Sequence, residues 1–265
     1  MLPNPIISTE LFGIDINVHM YGLMIAIGIL GTFITLTLVG KKRGINEKFL
    51  DFTFYCGIGS IVVGFLSASL FQATYNYIEN PAAGFRFGES MTFMGGLIGG
   101  VVCFLTVYFI ARPKLHGRLI DVLSLVPCCI TIAHGFGRIG CFFAGCCYGI
   151  PTDSFLGVKF PHLSSPVHPT MLYEAAFLFI LFGVMLFLLL KYDFRHNMSI
   201  YLISYGVFRF LLEFIRGDHR GELVTGISPS QFWSIPMVAL GIGLIFLQNY
   251  LQKKRDAEIA EGKFV

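Results

Sequence analysis

Long apolar runs separated by short polar segments dominate this chain. Most of the runs reach roughly 18 residues, enough for a helix to cross a hydrocarbon layer of about 30 Å. A helix suits that environment because it satisfies all its backbone hydrogen bonds internally. We therefore predict an all-α, polytopic membrane protein. Its seven transmembrane helices are expected near Met20–Val39, Phe49–Phe71, Met91–Ala111, Leu119–His134, Thr170–Leu190, Met198–Ile215 and Ser230–Leu251.

The composition agrees with this pattern. Hydrophobic residues make up 55% of the 265 residues and charged residues 13%, and the mean hydropathy is +0.72. Such a chain has too little polar surface to cover a soluble globule. No linker or repeat divides it. We expect one integral-membrane helical bundle domain over residues 1–265, with an outer-side loop at about 136–169 that contains Gly, Pro and Asp turn residues.

The distribution of positive charge predicts the orientation. If seven helices alternate across the membrane from an outer N-terminus, most Lys and Arg residues fall in the inner loops. The positive-inside rule therefore favours N-out, C-in. The net charge of +3 follows from anchoring these loops to an anionic leaflet and indicates no nucleic-acid partner. The outer loops would hold Arg86, Arg138, Lys159, Arg216 and Arg220.

Four charged residues near the outer boundary form the sharpest candidate site. Glu213 follows Arg209 by four positions and precedes Arg216 by three, which predicts that all three share one helix face. Arg138 comes from a separate segment. The group could be a buried ion-pair ladder. We favour a site for an anionic lipid headgroup, because guanidinium groups fit phosphate and charges at membrane depth usually mark function.

Two histidines are candidates near these arginines. His134 lies four residues before Arg138, so on a continuing helix both would face the same side. The ordinary pKa of histidine, about 6.5, suits proton transfer. A hydrogen-bonding anchor at the membrane interface is the alternative. His168 and Glu174, which flank the entry of a helix at Pro169, are either functional or anchors for that helix.

The cysteines fall into two groups. Four lie in apolar runs, where buried thiols act as small hydrophobes: Cys56, Cys103, Cys128 and Cys129. Three lie near the outer side: Cys141, Cys146 and Cys147. In this second group, Cys146 could be a nucleophile near Arg138, and two of the thiols could form a disulfide. Zinc with His134 is a further interpretation, although Cys-x4-Cys-Cys is not a common ligand spacing. Inert packing is the last.

Five motifs, in order along nearly the whole chain, resemble the prolipoprotein diacylglyceryl transferase family. None of them is specific alone, whereas all five in register identify the chain as a member of that family. They are MYGLM at Met20–Met24, TFMGGLIGG at Thr92–Gly100, GRIG at Gly137–Gly140, HPTMLYE at His168–Glu174 and YGVFRFLLEFIRGD at Tyr205–Asp218.

The resemblance implies a seven-helix enzyme of the bacterial cytoplasmic (inner) membrane whose active side faces the periplasm or cell exterior. Such an enzyme moves the diacylglyceryl group of phosphatidylglycerol onto the lipobox cysteine of a lipoprotein precursor and releases glycerol phosphate. By motif, Arg138 and Arg209 would hold the headgroup, Glu213 and Arg216 would order the site, and Tyr21 would line it. No cofactor and no metal are implied.

Three positions depart from the family pattern. Met94 stands where the family usually has His, Cys141 where it has Asn, and Cys146 where it has Glu. The lipid-binding positions match, whereas the acid–base positions do not. We therefore expect His134 and Cys146 to join Arg138 and Arg209 in catalysis, and His168 to join the substrate-binding residues. One alternative is a divergent member that uses the same phospholipid site with a different acceptor, or with thiol-redox chemistry through Cys141, Cys146 and Cys147. The other is a non-catalytic lipid-binding bundle.

Overall fold

The structure is a computed structural model that describes residues 7–11, 14–81, 84–88, 92–217 and 227–260. The side chains of residues 7–18 and of a few helix positions, including Met94, lie outside that description. The chain forms two compact units. The first comprises Met1–Val39 and Leu119–Val265, and the second comprises Gly40–Arg118. The single-domain organisation expected from the sequence stays a prediction.

Helices account for most of the described residues, and seven of them are long and apolar enough to span a membrane. The predicted all-α class and the number of transmembrane helices are thus confirmed, with one addition. A short hairpin, in which β1 (Ile7–Leu11) pairs antiparallel with β2 (Ile14–Val18), precedes the first helix. The helices are α1 (Met20–Lys42), α2 (Glu47–Glu79), α3 (Phe93–Ala111), α4 (Leu119–Val122), α5 (Val126–Ala144), α6 (Thr170–Tyr192), α7 (Asn197–Leu212) and α8 (Pro229–Ala260).

The bounds predicted for the fourth transmembrane helix were wrong. Residues 119–122 form the separate short helix α4, and α5 continues ten residues beyond His134, to Ala144. The glycines and the arginine after His134 resemble a loop in sequence. They stay helical until Gly145, which adopts a left-handed conformation with φ +72°. The connection from α5 to α6 is therefore residues 145–169, shorter than the expected outer loop.

A turn motif ends α5. The Gly145 N–H donates to the carbonyl of Phe142 at 3.1 Å, and the Cys146 N–H donates to the carbonyl of Cys141 at 3.2 Å. This pair of bonds is the Schellman arrangement, which satisfies the last carbonyls of a helix and needs a residue such as glycine at the left-handed position. The turn brings Cys146 back over the last turn of α5.

A buried amide fixes the other end of the first unit. Asn197, at the start of α7, is fully buried. Its Nδ2 donates to the carbonyls of Ser124 at 3.0 Å and Met185 at 3.1 Å. One side chain thus joins the start of α7 to α6 and to the segment before α5. These bonds fix how the three helices that carry the site are positioned along their axes relative to one another.

The connection 145–169 folds onto the helix ends. The Gly149 N–H donates to the carbonyl of His168 at 2.7 Å, and the Ile150 N–H donates to the carbonyl of Ile215 at 3.0 Å. Phe160, packed with Met171, is fully buried beneath it. These contacts hold the residues that follow α5 against the end of α7.

In the second unit, small residues let α2 and α3 pack closely. A Cβ added at Gly64 would lie 2.9 Å from the carbonyl oxygen of Gly96, and one at Gly100 would lie 3.2 Å from that of Ser60. These glycines therefore allow the two helices to approach closely. No described atom lies within 4 Å of a Cβ added at Gly57 or Gly59, so close helix packing does not account for these two glycines.

Candidate functional site

A buried carboxylate is the centre of the site. Glu174, in the second turn of α6, is fully buried. Its Oε1 accepts a hydrogen bond from the Tyr205 hydroxyl of α7 at 2.7 Å, and its Oε2 lies 3.0 Å from Nε of Arg138 on α5. An isolated carboxylate in an apolar interior is strongly disfavoured, so burial of Glu174 requires these partners. Three helices thus meet at one side chain.

Arg138 contacts the site through one end of its guanidinium. Besides the ion pair with Glu174, its Nε donates to Nε2 of His134 at 3.3 Å. Among the described residues, Nη1 and Nη2 of Arg138 have no hydrogen-bond or ion-pair partner. Its side chain is 19% exposed. The guanidinium is therefore held in place at Nε, whereas its two terminal nitrogens, Nη1 and Nη2, remain open and form the fork of Arg138.

His134 faces the arginine, because α5 continues past it. Its Nε2 accepts the bond from Arg138, so in the neutral ring the proton belongs on Nδ1. The same nitrogen lies 3.6 Å from Oε1 of Glu174, and the ring packs edge-on against Tyr205 with centroids 5.2 Å apart. His134 thus lies beside a carboxylate that could stabilise a protonated imidazole.

Arg209 approaches from α7. Its Nη1 lies 2.6 Å from Oε2 of Glu213, the predicted partner one helical turn away, and its Nη2 donates to Ser230 at 2.6 Å. Arg209 is buried and interacts electrostatically with both Glu174 and His134. Arg138 and Arg209 therefore converge on one region, as expected, and each has a carboxylate partner.

Arg216 does not share a helix face with Arg209, so that part of the prediction was wrong. Helix α7 ends at Leu212, residues 213–215 form a 3₁₀ turn, and Arg216 is extended with φ −86° and ψ 140°. Its backbone pairs with Gly149 in the α5–α6 connection. The spacing rule fails because it holds only while the α-helix continues. Arg216 is instead buried near the thiols, where it interacts electrostatically with Cys147.

Three thiols lie beside the arginines. The Sγ atoms of Cys141, Cys146 and Cys147 are all within 4.8 Å of one another, and none of the three cysteines forms a disulfide. Hydrogen bonds from Cys141 and Cys146, with Arg216 and Arg138, lower the pKa of the Cys147 thiol, while the bonds with Cys141 and Cys147 raise that of Cys146. Negative charge therefore favours Cys147, one residue beyond the nucleophile expected from sequence.

Tyr21 and His168 differ in their placement. A Cβ added at Gly140 would lie 3.0 Å from Cδ2 of Tyr21, so the glycine allows this ring to approach α5. Tyr21 also interacts electrostatically with Arg138 and the three thiols. His168 bonds through Nδ1 to the Tyr173 hydroxyl at 3.1 Å, and its described contacts do not include the arginines. Its substrate-binding role stays a prediction.

Sequence reasoning left three contributors without a role. Glu174 was undecided, although the rule that intramembrane charges are functional applies to a carboxylate as well as to an arginine. Tyr205 lies one helical turn before Arg209, inside the motif that carries the family resemblance. Ser230 gave no signal, since a serine at the start of an apolar run usually caps a helix.

Comparisons with known proteins identify the family of this chain. The family model described as prolipoprotein diacylglyceryl transferase matches residues 9–247. A phosphatidylglycerol–prolipoprotein diacylglyceryl transferase from Clostridium tetani is 40% identical over 91% of this chain and 96% of its own. One from Methylococcus capsulatus is 35% identical over 87% and 90%. A protein from Clostridium perfringens that carries the same name with the number 2 is 33% identical over 95% and 98%. The chain is therefore a multi-pass membrane protein that belongs to the prolipoprotein diacylglyceryl transferase family.

Proposed function

We propose that this protein transfers the diacylglyceryl group of phosphatidylglycerol to the lipobox cysteine thiol of a lipoprotein precursor. The observation that carries the proposal is the open fork of Arg138, whose Nε is bound to Glu174 and His134 while Nη1 and Nη2 have no described partner. Two parallel N–H groups of this kind match the oxygens of a phosphate. The names of the relatives support the same substrates.

Arg209 supplies the second positive charge for the headgroup. Its contacts with Glu213 and Ser230 fix the guanidinium before any lipid arrives. Glu174 fixes Arg138 in the same way, so the charges need little reorganisation when the phosphodiester binds. Tyr21, against α5, and Arg216, past the end of α7, complete the site around these two arginines, while His168 is assigned to the substrate-binding edge.

The chemistry is a displacement at carbon. The acceptor sulfur attacks the glyceryl carbon of the lipid, a C–S bond forms, and the bond from that carbon to the phosphate oxygen breaks. The electron pair leaves with glycerol phosphate, whose phosphate gains one negative charge. Arg138 and Arg209 stabilise this added charge in a site of low dielectric constant, the kind of effect that commonly contributes about 100-fold to 1,000-fold per donor.

His134 accepts the proton of the acceptor thiol. The single Nε–H of Arg138 lies within reach of both His134 and Glu174, at 3.3 and 3.0 Å. When that proton points at Glu174, Nε2 of His134 is released as a base. The imidazolium formed then faces Oε1 of Glu174, now 3.6 Å away. This arrangement supplies a base although Met94 stands at the family's usual histidine.

A covalent relay through Cys146 is less favourable than direct transfer. Alkylation of Cys146 would give a thioether, and a thiolate leaves an unactivated alkyl carbon slowly. We therefore assign Cys146 to the thiol cluster beside the arginines, as a residue that assists catalysis without carrying the lipid. If the relay operated, Cys146→Ser would abolish transfer and labelled lipid would be trapped on Cys146.

The position of the site supports the proposed orientation in the membrane. The end of α5, the start of α6 and the end of α7 meet at one side, whereas Lys191 and Arg195 lie at the opposite ends of α6 and α7. Positive charge marks the cytoplasmic side. The site thus faces outward in an N-out, C-in protein of the bacterial cytoplasmic membrane, where a secreted precursor would reach it.

A transfer assay tests the function. The purified protein is incubated with phosphatidylglycerol labelled in its acyl chains and with a lipobox peptide. We expect label on the peptide cysteine, none on a Cys→Ser peptide, and at least about 100-fold slower transfer with Arg138→Ala. Arg195→Ala, which removes an exposed ion pair with Asp193 at 3.2 Å, is the matched control. Folded protein that transfers no label, or an Arg138→Ala variant with full activity, would contradict the proposal.

A further inference from the structure

Three thiols that neither bind the headgroup nor carry the lipid meet at the outer end of α5. Cys141 lies in the last turn of the helix, and Cys146 and Cys147 follow it. Cys141 and Cys147 are half-buried, while Cys146 is exposed. All three Sγ atoms lie within 4.8 Å of one another. Thiols that only fill space lie in apolar surroundings. This cluster instead is exposed on one side, at Cys146, and lies next to two arginines.

The backbone around the cluster is shaped to bring the sulfurs together. The Cys-x4-Cys-Cys spacing is uncommon among zinc ligands, but the turn at Gly145 folds Cys146 back so that its thiol reaches the carbonyl of Cys141 at 3.7 Å. Cys147 is itself left-handed, with φ +66°, and Thr170 donates to its carbonyl at 2.7 Å. A non-glycine residue in that conformation is strained, so tertiary contacts must hold it there.

We propose that Cys141, Cys146 and Cys147 bind one thiophilic divalent cation of the zinc type, and that its fourth coordination position takes the acceptor thiol. With Zn–S bonds of about 2.3 Å, sulfurs in a tetrahedral site lie about 3.8 Å apart. The three thiols therefore need to close by at most about 1 Å to bind the ion. Three protein ligands and one open position are typical of catalytic rather than structural zinc.

The surrounding charge fits an anionic metal centre. Three thiolates and one divalent cation carry a net charge of −1. Arg216 and Arg138 both interact electrostatically with Cys147, and Arg138 also interacts with Cys141. These arginines would stabilise the filled site and keep it next to the open fork of Arg138. An acceptor thiol bound to the ion would thus lie beside the proposed phosphate site.

This inference rests on the proposed transfer and supplies what its acid–base residues lack. Binding to the ion favours the thiolate form of the acceptor, and its proton passes to His134. The sulfur then attacks the glyceryl carbon, the C–O bond breaks, and its electrons leave with glycerol phosphate. Nothing is oxidised or reduced. The cysteines at the family's usual Asn and Glu positions would therefore be metal ligands.

Binding is tested with Co²⁺ on reduced full-length protein in detergent, followed by competition with Zn²⁺. We expect one ion per chain, a thiolate-to-cobalt charge-transfer band and the intense visible bands of a tetrahedral site. Cys146→Ser, which removes the exposed ligand, should weaken metal binding by more than about 100-fold. Removing a side chain that only hydrogen-bonds to a ligand already weakens metal binding by about 10-fold to 100-fold. Cys103→Ser, half-buried in α3, should bind as the unaltered protein does. Unchanged binding by a folded Cys146→Ser variant would overturn the site.

The open position is tested by adding a lipobox peptide to the Co²⁺-loaded protein. A cysteine peptide should strengthen the charge-transfer band, and the matched serine peptide should not. If the cysteine peptide leaves the spectrum unchanged, or metal-stripped protein transfers lipid at the full rate, this inference fails while the proposed function stands. If metal and peptide bind as described but the loaded protein transfers no lipid, the proposed function fails and the metal site remains.

Discussion

Replacing Glu174 by Gln tests the centre of the site. The substitution keeps the size of the side chain and an oxygen that can accept from Tyr205, but it removes the charge paired with Arg138 at 3.0 Å. Breaking one partner of a buried ion pair usually destabilises a protein by about 3–5 kcal/mol. Because the Arg138 side chain is 19% exposed and solvent screens part of its charge, we expect about 3 kcal/mol.

The same substitution should slow lipid transfer. Without the carboxylate, only the longer bond to His134, at 3.3 Å, holds Nε of Arg138, and the guanidinium no longer points reliably at the phosphate. A displacement of about 1 Å can cost about 100-fold in rate, so we expect a loss of that size. Reversible unfolding in mixed micelles measures the stability, and labelled phosphatidylglycerol measures the rate at saturating lipid. Asp193→Asn, which breaks an exposed pair with Arg195, should change the stability by less than about 0.5 kcal/mol.

A double-mutant cycle separates this explanation from general damage. If Glu174 acts through Arg138, then Glu174→Gln combined with Arg138→Gln should destabilise less than the sum of the two single changes, by at least about 1 kcal/mol. The two rate losses should also fail to multiply. Strictly additive effects on both stability and rate, in variants that remain folded, would refute the assignment of Glu174 as the residue that positions Arg138.

Three further outcomes follow from local geometry. Gly140→Val should displace the Tyr21 ring, which lies 3.0 Å from an added Cβ, and should reduce transfer. Gly137→Ala meets no atom of the described residues within 4 Å and should leave transfer nearly unchanged in the same assay. Asn197→Ala should lower the free energy of unfolding by about 2 kcal/mol, because two buried carbonyls lose their donor. Equal unfolding midpoints for the variant and the unaltered protein would argue against this structural role of Asn197. Because the pKa of Cys147 is lowered, iodoacetamide should modify Cys147 at a pH below the ordinary thiol pKa of about 8.5. Labelling should be lost only as the pH falls through the lowered pKa. Mass spectrometry identifies the labelled cysteine, and reaction of Cys147 only at higher pH would contradict this prediction.

The predicted helices succeeded where the sequence pattern was long and failed at ends and interruptions. Apolar runs such as Thr170–Leu190 were found within two residues of α6. The end of α5 was missed because its glycines and Arg138 resemble a loop when read alone. Glu174 on α6 pairs with Nε of that arginine and makes the continued helix favourable. Similarly, Arg216 was placed on α7 by spacing, although the helix ends four residues earlier, at Leu212.

Some residues of the candidate site could be selected from the sequence, whereas others required the structure. Arg138, Arg209 and Glu213 could be selected from sequence because charges are rare in apolar runs and spacing pairs Arg209 with Glu213. Selection of Glu174 as the shared partner required the structure, since its contacts come from α5 and α7, far away along the chain. His134 needed the continued α5 before it could be placed against Arg138.

The sequence by itself determined that this is a multi-pass membrane protein of a recognisable family, because the hydrophobic length of a helix and the order of motifs are properties of the chain alone. Only the tertiary structure decided which atoms meet. Arg138 is held at its base and open at its tip, and three cysteines gather around one turn. Those arrangements depend on side chains that are distant in sequence, on the left-handed turn that follows α5, and on the cost of leaving a buried charge without a partner.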